Sequence, residues 1–258
     1  MAILEVKNLS IEFGGLKAVE DFNLSLEKGE LIAIIGPNGA GKTTIFNMLT
    51  GIYPPSNGTI HLDGENLLGR KPFQFAQAGI ARTFQNIRLF SNASVIDNVK
   101  MANTADSNEN FFESILRTPG MVEKERQLDE HALELLSLFG LEGQADTIAK
   151  NLPYGAQRRL EIVRALMLNP KVLLLDEPVA GMITTELDEM AQLVKELREK
   201  HGQTIILIEH HMNFVMPIVD RIIVLNFGKT ISEGTPAEIQ KDPRVIEAYL
   251  GGGFHGNA

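Results

Sequence analysis

The segment Gly36-Pro37-Asn38-Gly39-Ala40-Gly41-Lys42-Thr43 fits the pattern G-x-x-x-x-G-K-[ST] and follows directly on the apolar run Leu31-Ile32-Ala33-Ile34-Ile35. Five apolar residues without alternation read as a strand buried on both faces. The glycines let the following loop curl until successive backbone N–H groups point at one anion. A helix starting near Thr43 adds the positive end of its dipole. A triphosphate fits this arrangement. Lys42 supplies a mobile cation for the β- and γ-phosphates, and the Thr43 hydroxyl can take one coordination position on Mg²⁺. Ile45, Phe46, Met48 and Leu49 give the expected helix its buried face. The candidate nucleotide contacts are Gly36, Pro37, Asn38, Gly39, Ala40, Gly41, Lys42, Thr43 and Thr44.

A chain of 258 residues that is 44% hydrophobic can bury a full core, as one large domain with a lobe or as two smaller ones. No apolar run approaches the roughly 18 to 20 residues needed to cross a bilayer. The start Met1-Ala2-Ile3-Leu4-Glu5 lacks a basic region followed by an apolar signal core, so a cytoplasmic location without direct membrane insertion is expected. With no cysteine, disulfide and thiol chemistry are excluded. The net charge of −9 argues against a broad electrostatic grip on nucleic acid or anionic lipid, so membrane association would run through a protein partner. Arg158-Arg159, on a predicted helix, reads as a solvated face rather than a polyanion site.

Along the chain, residues 4–13 alternate apolar and polar, and 19–26 partly repeat that habit, which predicts antiparallel strands. After the phosphate loop the pattern predicts a helix, a turn-rich stretch at 53–58 and a short strand at 59–62 that ends at Asp63-Gly64. From about Phe84 to Leu152 the apolar residues take helical spacing, as at Leu128, Ala132, Leu135, Leu136 and Leu138, and a helical lobe is expected. The polar stretch 103–110 reads as a surface loop. Unalternating strands return at 172–175, 204–208 and 221–225, separated by helical patterns such as 187–199. They imply a parallel sheet covered on both faces. The Gly-rich end 251–258 reads as a frayed terminus.

Asp176-Glu177-Pro178 places two carboxylates at the carboxyl end of one such strand, where ligands of open α/β sheets bind. Asp176 can hold the Mg²⁺ hydration shell, and Glu177 can orient or deprotonate a water for in-line attack on the γ-phosphorus. Taken alone, the pair reads as a strand end; the phosphate loop upstream favours the chemical reading.

Between these elements lie Thr83-Phe84-Gln85-Asn86 and Leu152-Pro153-Tyr154-Gly155-Ala156-Gln157-Arg158-Arg159-Leu160, and Ala180-Gly181-Met182-Ile183 and Ile208-Glu209-His210-His211 follow. In that order the chain resembles the ATP-binding subunit family of ABC transporters: Walker A, Q-loop, signature, Walker B, D-loop and switch histidine. The resemblance covers essentially the whole length. Phe13-Gly14-Gly15-Leu16-Lys17-Ala18-Val19, Ala81-Arg82-Thr83-Phe84-Gln85-Asn86-Ile87-Arg88-Leu89-Phe90, Tyr154-Gly155 with Arg158-Arg159-Leu160-Glu161-Ile162, and the ending Ala248-Tyr249-Leu250-Gly251 resemble the LivG-type subunit of branched-chain amino acid importers.

The resemblance implies an α/β P-loop NTPase fold of the ABC ATPase type, with a parallel core sheet, an antiparallel β subdomain and a helical signature lobe. The domain would span 1–250, with the lobe at approximately 86–165 and a flexible tail at 251–258. Phe13 would stack on adenine; read without the family, it is equally a core residue at a strand end. Gln85 would contact Mg²⁺ or the attacking water and relay nucleotide state to a membrane partner. His210 would hydrogen-bond the γ-phosphate and hold Glu177, with His211 facing away and no metal held by the pair. Tyr154, Gly155 and Gln157 would cap the γ-phosphate bound on an opposing protomer, so that ATP glues two ATPase subunits together and hydrolysis moves permease subunits.

Two departures from the family pattern stand out. Pro153 occupies a place where Ser, or in this subgroup Ala, is usual, and it offers neither hydroxyl nor N–H; proline suits the first turn of a helix. Ile183-Thr184 replaces the usual Asn or Asp followed by Pro, while Thr185-Glu186-Leu187-Asp188 retains a capping box. These departures keep a second reading open, a nucleotide-binding scaffold or regulator with weak hydrolysis. An ATPase for lipid export or a soluble nucleic-acid task is disfavoured by the acidic charge.

Overall fold

Strand β3 (Leu31–Ile35), the unalternating run before the phosphate loop, is buried along its whole length near the middle of a six-stranded sheet. The computed structural model describes residues 2–103 and 119–251. The sheet order is β10-β9-β3-β8-β7-β6, formed by β6 (Ile80–Arg82), β7 (Val172–Asp176), β8 (Thr204–Ile208), β9 (Arg221–Asn226) and β10 (Lys229–Gly234) around β3. All pairings are parallel except that of β9 with β10. Parallel strands need crossovers, and the helices that make them cover both faces.

Period-two geometry divides β3 between two cores. Leu31, Ala33 and Ile35 face one apolar cluster, whereas Ile32 and Ile34 face the other. The second cluster is completed by a four-stranded sheet of order β2-β1-β4-β5, made of β1 (Ala2–Phe13), β2 (Leu16–Glu27), β4 (Asn57–Leu62) and β5 (Glu65–Asn66), and by helix α1 (Lys42–Leu49). β1 pairs antiparallel with both β2 and β4, as the alternating patterns predict. The described elements therefore form the mixed parallel and antiparallel α/β architecture read from the sequence.

After α2 (Pro72–Ala78) and β6, the chain leaves the sheet for α3 (Val95–Asn103), α4 (Pro119–Leu138) and α5 (Tyr154–Leu166), with α3 packed on the other two. Ala132 and Leu136 of α4 are buried, and Leu128, Leu135 and Leu138 lie against the same core. Asn103, the first residue of the expected polar loop, closes α3; residues 104–110 of that loop and 252–258 of the expected tail lie outside the described residues. Helix α6 (Thr184–His201) crosses back to β8, and α7 (Met212–Val215), α8 (Pro236–Ile239) and α9 (Pro243–Gly251) complete the fold. Among the described residues no helix is long and apolar enough to cross a membrane.

Two helix starts differ from expectation. Pro153 stands just before α5 as its N-cap rather than in its first turn, with ψ 153. A residue in that extended conformation cannot be helical, but its carbonyl still accepts the Gln157 N–H at 3.0 Å and opens the helical ladder. Helix α6 begins earlier than the box at Thr185 predicts, with Ile183 as N-cap. Glu186 reaches back to the Ile183 N–H at 3.0 Å, and because isoleucine carries no acceptor only this half of the reciprocal pair forms.

Leu173 of β7 is fully buried between neighbours on both sides. Leu173→Ala is expected to cost about 2 to 5 kcal/mol, read as a lower urea midpoint at unchanged slope. A loss below about 1 kcal/mol would show that the core collapses around the deletion.

Candidate nucleotide site

Where β3 ends, the chain turns past β9 so closely that only glycine fits. Gly36 has φ 151, and a Cβ there would sit 2.2 Å from the Leu225 carbonyl oxygen. Gly41 has φ 105 and would place a Cβ 2.8 Å from the Ala18 carbonyl oxygen. The Gly228 N–H holds the Ala40 carbonyl at 3.0 Å and stitches the loop to the β9–β10 turn. Gly41 caps α1 without a side-chain acceptor, so the amides of the first turn, from Lys42 to Thr44, lack helical partners and face an incoming anion. Asn38, Gly39 and Thr43 are exposed at the mouth, Thr44 is half-buried, and Ala40 is packed inward.

Lys42 is stored against its own loop. Only 8% exposed, it donates from Nζ to the carbonyls of Gly36 at 2.6 Å and Pro37 at 2.9 Å. Burial pulls its pKa below the ordinary lysine value, and the carboxylates of Glu177 and Asp176 push it partly back. An ammonium in such a place gains by exchanging carbonyl dipoles for phosphate oxygens.

The carboxyl ends of β7 and β8 bring the remaining groups to the same edge. Asp176 is buried and paired with Arg82 Nη2 at 2.6 Å, and Arg82 Nη1 donates to Asn47 Oδ1 at 2.7 Å. The Arg82 guanidinium lies 5.4 Å from the Phe46 ring centroid and 5.1 Å from that of Phe84. No role was assigned to Arg82 from the sequence, although it lies in the segment that carries the resemblance. Glu177 adopts φ 49, a left-handed conformation that costs a residue with a side chain about 1 to 3 kcal/mol. Its Oε2 accepts the Gln85 amide at 2.7 Å, and its Oε1 lies 3.8 Å from His210 Nδ1, beyond a direct hydrogen bond.

Glu209, also unassigned from the sequence, is the buried anchor behind the histidines. Its carboxylate accepts the N–H groups of Val179 at 3.3 Å, His210 at 2.8 Å and His211 at 3.0 Å, and the Nδ1 of His211 lies 3.0 Å away. That pull overturns the expectation that His211 faces away: the two imidazoles lie side by side, centroids 4.2 Å apart and tilted by 38°. Glu209, His210 and His211 thus cluster with their polar atoms within 4.8 Å, but the carboxylate is engaged by N–H donors. The His210 side chain is 52% exposed.

Phe13, at the end of β1, is 46% exposed and meets Tyr53 edge-on at 5.4 Å, which removes the strand-end core alternative. Gly155 is buried, and Gln157 turns its amide back to the Leu152 carbonyl at 2.9 Å. Tyr154 places its hydroxyl 2.8 Å from Arg158 Nη2. Arg158 itself is 5% exposed, which overturns the solvated face expected there, and Arg159 beside it is half-buried and 3.7 Å from Glu189. The arginine faces inward because unpaired loop carbonyls await it there. Gln85, Lys42, Asp176, Glu177 and His210 are therefore gathered at one sheet edge, while Phe13 stands at the tip of the other sheet and Tyr154, Gly155 and Gln157 on the start of α5.

A family model described as ABC transporter matches residues 19–180. The chain belongs to that family. A second model, described as Branched-chain amino acid ATP-binding cassette transporter, matches residues 229–255 of this cassette. The cassette is 45% identical to the high-affinity branched-chain amino acid transport ATP-binding protein BraF of Pseudomonas aeruginosa, over 96% of this chain and 98% of the relative. Its identity to LivG of Escherichia coli is also 45% with the same coverage. Among solved structures, a nucleotide-free ATP-binding cassette from an ABC transporter superposes with TM-score 0.84 at 31% identity, covering 96% of this chain and 99% of the other. A cassette in its ADP conformation gives 0.85 at 31%, with 97% and 99% covered. Like other cassettes, the chain is an ATPase that binds ATP and serves as the energising subunit of a transporter.

The pair Arg82–Asp176 is buried on both sides. Arg82→Met strands the carboxylate and is expected to lower stability by about 3 to 5 kcal/mol, and adding Asp176→Leu is expected to recover most of that loss. Chemical unfolding of the two variants checks both values.

Proposed function

We propose that this cassette hydrolyses MgATP to energise an importer of branched-chain amino acids, working as one of a pair of ATPase subunits docked on permeases at the inner face of the cell membrane. The observation that carries the reading is the gathering of Lys42, Gln85, Asp176, Glu177 and His210 at the carboxyl ends of adjacent parallel strands. The amino acid class is supported by the names of the relatives that match along nearly the whole chain. Dimeric cassettes solved at 25% identity support the pairing.

The roles follow from the chemistry of each group. The loop Gly36 to Thr44 cradles the phosphates with its amides, and Lys42 swings from the Gly36 and Pro37 carbonyls to the β- and γ-oxygens. Thr43, Gln85 and Asp176 offer a hydroxyl, an amide and a carboxylate, hard oxygen donors that fit Mg²⁺, which when bound neutralises phosphate charge. Gln85 gives up its bond to Glu177 as it turns to nucleotide. The freed Glu177 carboxylate orients a water and takes its proton, and the exposed His210 hydrogen-bonds the terminal phosphate. Phe13 offers a ring face to the base. Tyr154, Gly155 and Gln157, with the helix start behind them, cap the phosphate held by the second subunit. The domain spans 1–250, with the signature lobe inserted at approximately 86–165, and of the expected tail 251–258 its first residue, Gly251, closes α9.

Weak hydrolysis by a scaffold is the lesser reading, because Pro153 leaves the start of α5 intact. Glu177→Gln is expected to lower steady-state hydrolysis by about a hundredfold or more while calorimetry still registers MgATP binding. Unchanged turnover rejects the role of Glu177. Pro153→Ser combined with Ile183→Asn is expected to change turnover by less than about threefold. A gain of about tenfold, the value of one charge-assisted hydrogen bond, favours the scaffold reading instead. In vesicles carrying the permeases and their binding protein, uptake of labelled leucine is expected to require this subunit and ATP. Uptake of acidic or basic amino acids alone reassigns the substrate.

A further inference from the structure

Tyr154 and Arg158 stand four residues apart in α5, so their side chains share one helix face. The buried Arg158 guanidinium spends its donor groups on four neighbours, Phe84, Gln85, Tyr154 and Glu161. Nη2 donates to the Gln85 carbonyl at 2.5 Å and Nη1 to the Phe84 carbonyl at 3.1 Å. Nε and Nη2 donate to the Tyr154 hydroxyl at 3.1 and 2.8 Å.

The same helix face holds the far end of that loop. Glu161, one turn on, accepts the Arg88 N–H at 2.7 Å, and its second oxygen lies 3.4 Å from Arg158. Arg164, a further turn on, donates to the Arg88 carbonyl at 2.6 Å. Residues 84–88 are thus gripped by their backbone at both ends, from positions spaced by three along α5. Tyr154 in turn lies over Gly181, where a Cβ would come within 3.2 Å of the tyrosine ring. Gly181 belongs to the segment that directly follows Asp176-Glu177-Pro178.

One guanidinium therefore touches, directly or through one hydroxyl, three parts of the site: the loop that carries Gln85, the first turn of α5, and the segment after Glu177. Side-chain length makes the connection strict. The Gln85 amide meets Glu177 Oε2 at 2.7 Å, and a glutamine whose backbone drifts by an ångström loses that bond or its successor to the nucleotide.

We propose that Arg158, braced by Tyr154, is a positioning residue for hydrolysis, tying the backbone that carries Gln85 to the start of α5 so that Gln85 engages the Glu177 site only while α5 is seated. The proposal deepens the reading of Gln85 and Glu177 given above and rests on it. A buried staple that only stabilises the fold would produce the same contacts, so the test separates the two.

The chain has no cysteine, so Asn86→Cys, at an exposed loop position, accepts a single nitroxide label on the full-length protein. Arg158→Met is expected to lower kcat about tenfold or more with KM for ATP changed less than about threefold, and to mobilise the label. Arg158→Lys, whose ammonium can still reach one carbonyl, is expected to recover part of both effects. In a Gln85→Ala background, Arg158→Met is expected to add less than about threefold, because the residue it positions is already gone. A full additional loss in that background, or an unchanged label spectrum beside a lowered melting temperature, overturns the proposal. Should Arg158→Met fail to fold, Tyr154→Phe carries the test with an expected fall in kcat of about threefold and a more mobile label; wild-type values for both overturn it. Full turnover in Gln85→Ala alone refutes the reading of Gln85 instead, and is thereby distinguishable.

Discussion

The parallel pairing of β3 with β8 and of β8 with β7 is the constraint on which the site depends. Parallel strands all present their carboxyl ends to one edge of the sheet. Gly36, Glu177 and Glu209-His210 each follow directly on one of these strands, so groups far apart in the chain arrive side by side without any long side chain having to reach. The two apolar clusters on either face of β3 hold that edge in register, since slipping a strand by one residue would exchange the two sets of core residues.

Around this edge the buried charges divide into fixed and exchangeable ones. Asp176 is pinned by Arg82, Glu209 by backbone and imidazole N–H groups, and Glu161 by the Arg88 N–H with Arg158 alongside. Burial pushes Glu161 above the usual carboxylate range, while the Arg88 N–H and the guanidiniums of Arg158 and Arg164 pull it back. Charged groups this far from water need such partners to be tolerated at all. Lys42, Gln85 and His210 are held differently. Lys42 rests on carbonyls of its own loop, Gln85 on one carboxylate oxygen, and His210 is half open to solvent. These are the bonds a phosphate can outcompete.

The departures at Pro153 and Ile183 have local and limited structural consequences. Both residues serve as N-caps whose side chains offer no acceptor, and both helices form all the same, with the Pro153 carbonyl opening the α5 ladder and Glu186 accepting the Ile183 N–H. The exposed Ile183 leaves an apolar side chain where the family pattern has a polar one.

Much of this was legible in the amino-acid sequence, because the signals are local. The apolar run of β3, the glycines of the phosphate loop and the carboxylates closing β7 each follow from a few adjacent residues and a known backbone period. What stayed hidden were the long-range pairings. Arg82 meets Asp176 across 94 residues, and Arg158 meets Gln85 across 73. An arginine reads the same in a sequence whether water or a buried carbonyl receives it, and two neighbouring histidines say nothing of the carboxylate that turns one of them. Only the packing of α5 against the sheet and the place of β8 within it remove the water, and with the water gone each cation must find the acceptor that tertiary structure places beside it.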